Sequence, residues 1–225
     1  MLNLNAQALL SLVLLAAAMG LMLFIPAGTI LYWQAWVYLS IFMGASVLTT
    51  LYLMKNDTAL LKRRMRGGPT AEKRGKQKLI MLCTSICFIA LLVVPALDYR
   101  FGWSEMPLSF VIVGDALVAA GFYFIFLVYK ENPFTSATIE VAEEQRVIST
   151  GPYALVRHPM YASALLYLVG TPLALGSFWG LLPFAAMTPF LIWRLYDEES
   201  MLEKNLAGYT EYQKKVRHRL IPFIW

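Results

Sequence analysis

The sequence is poor in the side chains that most soluble enzymes use. Charged residues make up only 15% of its 225 residues, whereas hydrophobic residues make up 59%, which is far more apolar than a soluble domain of this length. It has two cysteines, Cys83 and Cys87, and two histidines, His158 and His218. These are too few for a disulfide framework or a three-histidine metal site. We therefore predict no metal site and interpret the cysteines as buried thiols on one helix.

Several functional motifs are also missing. The chain has no P-loop and no G-x-G-x-x-G sequence, and no pattern of a nucleophilic serine or cysteine with a paired base. Its first residues, MLNLNAQALL, lack the positive charge that opens a cleavable signal peptide. We therefore interpret the first apolar run as a retained membrane helix.

Long apolar runs dominate what is present. A bilayer core about 30 Å thick needs about 20 apolar residues per helix, and four runs approach or exceed this length, at about 4–25, 31–54, 79–97 and 107–129. A fifth, 159–193, is interrupted at its centre by GTPLALGSFWG, and such a proline and glycine break favours two helices over one. We predict an all-α integral membrane protein with about six membrane-spanning helices, the last two forming a helical hairpin.

An amphipathic C-terminal tail follows the hairpin. In residues 196–225, apolar side chains recur at spacings of seven, four and three, with Glu and Lys between them. This pattern is typical of a helix or two that lie on the membrane or dock against the bundle.

Positive charge is distributed very unevenly along the chain. Six crossings would put the basic segment, residues 55–78, on the same side as the 130–157 loop and both termini. That side would carry 18 of the 19 Lys and Arg residues, leaving only Arg100 on the other. Because Lys and Arg mark the cytoplasmic side, we predict cytoplasmic termini. We interpret the net charge of +5 as a topology signal with attraction to anionic lipid, and not as a nucleic-acid-binding surface.

Polar residues gather at the two ends of the predicted hairpin. Arg157 and His158 precede its first helix, and Arg194, Glu198 and Glu199 end its second. Since a hairpin brings its ends together, we expect these side chains to lie close to one another. Carboxylates for a cation and arginines for an anion, beside apolar helices, favour a site where a polar cofactor meets a lipid-like substrate. The alternative is a set of surface ion pairs at the membrane boundary, such as Arg194 with Glu198 four residues on.

One acid, Asp115, lies inside the fourth predicted span. An ionisable residue within a membrane helix is a functional candidate. The alternative, which we favour, is a single hydrogen-bonded carboxyl group near the outer interface.

The C-terminal motifs resemble a known family. VISTGPYALVRHPMY (147–161), followed by RLYDEE (194–199) and GYTEYQKKVRHRLIPFIW (208–225), is similar to the isoprenylcysteine carboxyl methyltransferases and to the related membrane phospholipid N-methyltransferases. The resemblance covers residues 130–225. It implies S-adenosyl-L-methionine as the methyl donor, bound on the cytoplasmic side, and a lipid-like or prenylated carboxylate as the acceptor.

The resemblance also implies roles for individual residues. Arg194 would orient the acceptor. Glu198 would act as a base if the acceptor is an amine, which must lose a proton, whereas a carboxylate acceptor needs no base. Glu199 would hold the ammonium group of the donor, although the register leaves the choice between Glu198 and Glu199 open. The implied donor contacts are Gln145, Val147, Ile148, Tyr153, His158, Pro159, Met160, Tyr161 and Glu199.

We therefore divide the chain into N-terminal membrane helices, residues 1–129, and a C-terminal catalytic region, residues 130–225, that holds a cofactor loop, the hairpin and the tail. Carboxyl methylation is the leading function. The alternatives are a phospholipid N-methyltransferase, an NADPH-dependent enzyme like the sterol reductases, which share a similar C-terminal membrane core, and a non-enzymatic lipid-binding membrane protein. The methyl acceptor and the oligomeric state stay open.

Overall fold

The computed structural model describes residues 3–141 and 144–225. The regular elements within these ranges are helical, as predicted. They are α1 (Leu4–Ala27), α2 (Trp33–Asn56), α3 (Thr58–Met65), α4 (Gly75–Phe101), α5 (Leu108–Glu131), a 3₁₀ turn (Gly151–Ala154), α6 (Pro159–Ala174), α7 (Leu181–Asn205) and α8 (Tyr209–Lys215).

Within the described residues, four helices are long and apolar enough to cross a membrane: α1, α2, α4 and α5. Each coincides with one of the four predicted apolar runs, so the all-α membrane fold is confirmed. The two helices of the hairpin differ from them, since α6 has only 16 residues and α7 carries charged residues along its last three turns. The count of six spans therefore stays a prediction.

The predicted hairpin forms at the proline and glycine break. Gly176 takes a left-handed φ of +72°, which a residue with a Cβ adopts only with strain. The backbone N–H of Ser177 then donates to the carbonyl of Pro172 at 2.9 Å, and Ser177 Oγ accepts from the N–H of Gly180 at 3.1 Å. These bonds reverse the chain between α6 and α7.

Close helix packing holds the hairpin in the bundle. A Cβ on Gly114 of α5 would lie 2.2 Å from the Ala174 nitrogen of α6, and one on Gly121 would lie 2.8 Å from the Tyr167 nitrogen. Small residues let membrane helices approach in this way. Because α6 packs mainly on α5 and α7 mainly on α4, the hairpin closes one side of the four-helix bundle.

The C-terminal tail docks against the bundle, which is one of the two arrangements predicted for it. Its first part continues α7 as far as Asn205, and its second part forms α8. The backbone N–H groups of Arg157 and His158 donate to the carbonyls of His218 and Arg219 at 2.9 and 3.0 Å. An apolar cluster of Met201, Leu202, Leu206, Tyr209, Tyr212 and Val216 fixes α8 to the end of α7.

The basic segment contains a helix that the sequence did not predict. In α3, the Asp57 side chain caps the first turn by accepting from the Leu60 N–H at 2.8 Å. Leu60 and Leu61 are buried against the ends of α1 and α2. The segment is therefore packed against the bundle rather than extended into solvent.

Candidate functional site

The two ends of the hairpin meet, as their chain positions predicted. We refer to residues 157–161 and 194–199 together as the hairpin mouth. His158 precedes the first turn of α6, where Pro159 occupies a position that needs no N–H donor. The tail segment at 218–219 holds the backbone of Arg157 and His158 from the other side. The side chains of both residues are consequently buried.

Glu199 is the centre of an ion-pair cluster at the mouth. Its carboxylate accepts from Arg157 Nε at 2.8 Å and Arg219 Nε at 2.9 Å, and it lies 3.1 Å from His158 Nε2. Burial would raise the pKa of Glu199, but the hydrogen bonds from His158, Arg219 and Arg157 outweigh it and lower the pKa to about 2. The cluster ties α6, α7 and the tail together.

Glu198 has a different environment from its neighbour. Its carboxylate accepts a hydrogen bond from Tyr161 Oη at 2.6 Å, its one hydrogen bond within residues 3–141 and 144–225. Successive residues of an α-helix point about 100° apart, so Glu198 faces a cavity while Glu199 faces the ion-pair cluster. The structure thus separates the two carboxylates whose roles the sequence left open.

The cavity at the mouth has a volume of about 590 Å³, which is in the range of cofactor and ligand sites. Ten of the eleven predicted site residues line it, and Glu199 is the exception. The ten are Gln145, Val147, Ile148, Tyr153, His158, Pro159, Met160, Tyr161, Arg194 and Glu198.

The walls of the cavity change from polar to apolar with depth. The residues above surround its polar part, next to the 132–148 loop. The other part runs between α4, α6 and α7 and is lined by Met81, Phe88, Ile89, Leu168, Met187 and Leu191. On α7, Met187, Leu191 and Arg194 are three or four residues apart, so one helix face joins the two parts.

Arg194 is buried at this junction, and three of its contacts fix the guanidinium. Its Nη1 donates to Gln77 Oε1 at 2.7 Å, and its Nη2 donates to the carbonyl of Ala137 at 3.0 Å. Nη2 also lies 2.8 Å from Glu72 Oε1, in an ion pair without the alignment of a hydrogen bond. Arg194 therefore pairs with Glu72 rather than with Glu198, the partner that the helical spacing allowed.

Sequence reasoning missed several residues of the site. Glu72 and Gln77 belong to the basic segment, whose charge suggested topology alone. Asn132 donates to Tyr153 Oη at 2.8 Å and holds that ring in the cavity wall. Tyr209 and Tyr212 also line the cavity, and the signal that could have found them is the GYTEYQKK sequence of the tail, which belongs to the family-like motif.

Tyr209 has an unusual phenol group. The residue is 4% exposed, and its hydroxyl has no hydrogen-bond partner among residues 3–141 and 144–225. Burial, reinforced by the nearby Glu199 and Glu198, raises the pKa of the Tyr209 phenol well above its ordinary value. The group is therefore a neutral donor beside the cavity, and a buried donor without an acceptor is costly unless a ligand or water supplies one.

Asp115 lies in α5 and does not line the cavity. Within the described parts of the chain, its Oδ1 atom is buried and has no hydrogen-bond partner. The hydrogen-bonded alternative is thus not satisfied at this oxygen.

Comparisons with known proteins agree with these features. A family model described as phospholipid methyltransferase matches residues 109–208. The chain is 28% identical over 158 residues to protein-S-isoprenylcysteine O-methyltransferase B of Arabidopsis thaliana, covering 65% of this chain and 73% of that protein. It is 33% identical over 76 residues to the protein-S-isoprenylcysteine O-methyltransferase of Schizosaccharomyces pombe, covering 33% of this chain and 32% of that protein.

A reductase also matches. A delta(14)-sterol reductase of Mus musculus is 32% identical over 106 residues, which cover 43% of this chain and 25% of the reductase. The similarity to this enzyme is consistent with the shared C-terminal membrane core expected from the sequence.

The fold and the comparisons identify the chain as a multi-pass integral membrane methyltransferase, an enzyme that draws on a methyl donor. The resemblance to the isoprenylcysteine carboxyl methyltransferase family, predicted from the C-terminal motifs, is confirmed.

Proposed function

We propose that this protein transfers the methyl group of S-adenosyl-L-methionine to the carboxylate of a prenylated cysteine or a closely similar lipid. The observation that carries the proposal is that one continuous cavity is polar at the hairpin mouth and apolar between α4, α6 and α7, with Arg194 where the two parts join. Such a cavity suits a water-borne donor and a lipid-borne acceptor. The names of the Arabidopsis and Schizosaccharomyces relatives support the choice of a prenylcysteine acceptor.

The polar part of the cavity fits the donor. Gln145, Val147, Ile148 and the 158–161 segment would line its nucleoside and methionine portions, with Tyr153 beside them. Glu198 would bind the ammonium group, because it faces the cavity and makes one hydrogen bond to residues that the structure describes. The Glu199 carboxylate, by contrast, already has three cationic or imidazole partners. Glu199 is then a positioning residue.

The chemistry asks little of the protein beyond alignment. S-adenosyl-L-methionine, when bound, supplies an activated methyl carbon on a sulfonium. In the transfer the carboxylate oxygen forms a bond to this carbon as the sulfur–carbon bond breaks, which leaves a methyl ester and a neutral thioether. Arg194 would orient the acceptor carboxylate in line with that bond. Positioning of two reactants in this way can lower a barrier by about 7–11 kcal/mol.

We place the cavity and both termini at the cytoplasmic face. The basic segment and the basic tail residues Lys214, Lys215, Arg217 and Arg219 all belong to the elements that surround the hairpin mouth. This concentration of positive charge at one end of the bundle supports a cytoplasmic position. Anionic lipid at that face would attract the same residues.

A second candidate function is methylation of a phospholipid amine. The matching family model, which is described as phospholipid methyltransferase and spans α5 to α7, favours it. An amine acceptor loses a proton during transfer, and Glu198, near the cavity, would be the group to accept it.

Two measurements test these proposals. The first follows the thermal stability of purified protein in detergent with S-adenosylhomocysteine or NADPH; a ligand at 100 times its Kd stabilises by about 2.7 kcal/mol. We expect a shift with the nucleoside only, and a shift with NADPH alone would overturn the methyltransferase proposal. The second supplies labelled donor with farnesylcysteine, its carboxamide, or phosphatidylethanolamine vesicles. We expect base-labile methyl ester from farnesylcysteine alone, whereas label only in the phospholipid would select the second function.

A further inference from the structure

We propose that Glu72 and Gln77, in the basic segment of the N-terminal half, position the Arg194 guanidinium for the methyl acceptor. The proposal rests on the proposed function and extends the site beyond the C-terminal region to which the sequence motifs confined it. Neither residue lines the cavity, so both act through Arg194.

The contacts converge on one side chain. Glu72 lies 2.8 Å from Nη2 of Arg194, and Gln77 Oε1 accepts from Nη1 at 2.7 Å. The two residues are separated from Arg194 by more than 115 positions in the sequence, and Gln77 is in the first turn of α4. Two sides of a planar guanidinium are thus held by one short stretch of chain.

Burial makes these contacts strong. Glu72 is 4% exposed and Gln77 is fully buried. By contrast, seven of the nine Lys and Arg residues of the basic segment are exposed and the other two are half-buried. A buried carboxylate without a cation is costly, and removing one partner of a buried pair typically costs about 3–5 kcal/mol. Glu72 therefore depends on Arg194 as much as Arg194 depends on Glu72.

The orientation of Gln77 is fixed from behind. Its Nε2 donates to Asp197 Oδ2 at 2.6 Å, and Asp197 also pairs with Arg74 Nη1 at 3.2 Å. Because the amide nitrogen faces the Asp197 carboxylate, the amide oxygen faces Arg194. Asp197 lies on α7 only three residues beyond Arg194, so the network locks α4 to α7 at the level of the acceptor site.

The negative charge of Glu72 has a second consequence. A carboxylate acceptor held by an unpaired buried guanidinium would lose nucleophilicity, since its electron pairs would be committed to that ion pair. Glu72 offsets part of the Arg194 charge while keeping the guanidinium in place. The acceptor is then oriented without being bound too tightly, which favours the transition state over the bound substrate.

The test is Glu72→Gln, which keeps the size of the side chain and removes its charge. We expect kcat for farnesylcysteine methylation to fall about 10- to 100-fold, the range seen when groups that orient a site ligand are replaced. KM for the acceptor should not rise, and the Kd of S-adenosylhomocysteine should stay within about twofold of the wild-type value, because Glu72 does not line the cavity. Glu211→Gln is the matched control, since Glu211 pairs with Lys214 at 3.8 Å on the exposed surface.

A double-mutant cycle separates positioning from a general loss of structure. In an Arg194→Gln background, Glu72→Gln should lower kcat no further, because the group it positions is gone. Gln77→Met offers a second, milder variant if Glu72→Gln folds poorly, and it should lower kcat in the same direction. Two results would overturn the proposal. One is a wild-type kcat in both Glu72→Gln and Gln77→Met, and the other is a kcat in the Arg194→Gln, Glu72→Gln double variant below that of Arg194→Gln alone. If the wild-type protein methylates no acceptor, the proposed function itself fails.

Discussion

The two ends of the bundle both bury a carboxylate, and the cavity described above lies at one of them. At the turn end, where α6 meets α7, Asp98 is 2% exposed and accepts from the Ser104 N–H at 2.7 Å and from Ser177 Oγ at 2.5 Å. Next to it, Tyr32 Oη donates to the carbonyl of Leu175 at 2.5 Å. These hydrogen bonds close the hairpin turn and satisfy the groups that make them.

The hairpin mouth contains the same kind of network and something more. Glu199 is as well satisfied as Asp98, but Glu198, one residue earlier, has a single hydrogen bond within the described parts of the chain and faces the cavity. The Tyr209 hydroxyl beside them has no acceptor among the described residues. A buried carboxylate therefore marks structure at either end. An unpartnered buried atom does not identify the site either, because Gln34 Oε1, beside Gly176 at the turn end, also has no hydrogen-bond partner among the described residues. The candidate site is distinguished by groups with spare hydrogen-bonding capacity that line a cavity.

Arg194→Gln should have the largest effect of any single change. We expect kcat/KM for the acceptor to fall about 10²- to 10³-fold, comparable to removing one charge-stabilising donor from other active sites, while S-adenosylhomocysteine still binds. Arg100→Gln at the turn end is the control, because Arg100 lies beside Gly28 and away from the cavity. Equal losses of kcat/KM in the two variants would show that an arginine at the hairpin mouth contributes no more to activity than one at the turn end.

Much of this comparison was accessible from the sequence, and the reason is local. The apolar runs identified α1, α2, α4 and α5, and the break near Pro172 and Gly176 identified the hairpin. The G-x-Y-x-x-x-R-H-P-x-Y motif supplied six residues of the cavity lining, between Tyr153 and Tyr161, because they are close together in the chain. What it could not supply was the exact rotation of α7, which decides whether Glu198 or Glu199 faces the cavity.

Long-range contacts account for the rest. Glu72 and Gln77 reach Arg194 only because α4 packs on α7, and no pattern within 55–78 specifies that packing. The nine Lys and Arg residues of the segment predict topology. Nothing in this charge pattern indicates that Glu72 is buried against α7. The amphipathic pattern of the tail likewise could not decide whether the tail lies on the membrane or docks against the bundle. In the structure it docks, and its carbonyls accept hydrogen bonds from the backbone of Arg157 and His158.

The stability of the mouth should depend on pH through Glu199. Its folded pKa of about 2 lies below the ordinary value of 4.5, so the ionised form stabilises the fold fully above about pH 4.5. This stabilisation, about 3 kcal/mol by linkage, is lost as the pH falls through the folded pKa. Thermal unfolding of the wild type and of Glu199→Gln should therefore differ most near pH 6, and the difference should shrink steadily toward pH 3. A constant difference would contradict the ion-pair account.

Glu198→Gln should weaken donor binding with little effect on unfolding. A hydrogen bond to a charged group is worth about 1.5–3 kcal/mol, so we expect the Kd of S-adenosylhomocysteine to rise about 10- to 100-fold. Calorimetric titration of Glu198→Gln, Glu199→Gln and the wild type measures this directly. If Glu199→Gln loses the donor while keeping its thermal midpoint and Glu198→Gln does not, the roles of the two residues must be exchanged.

Tyr209→Phe should give the smallest change, and one with opposite signs for binding and stability. Without donor, the variant should be as stable as the wild type or slightly more stable, because it removes a buried hydroxyl that lacks an acceptor within the described residues. With donor, loss of a hydrogen bond worth about 0.5–1.5 kcal/mol should raise the Kd about 2- to 10-fold. Tyr212→Phe provides the contrast, since Tyr212 Oη donates to the carbonyl of Tyr153 at 2.7 Å, and its loss should lower the thermal midpoint of the unliganded protein. Should Tyr209→Phe also destabilise the unliganded protein, its hydroxyl would have to be satisfied within the fold, and it would no longer distinguish the hairpin mouth from the turn end.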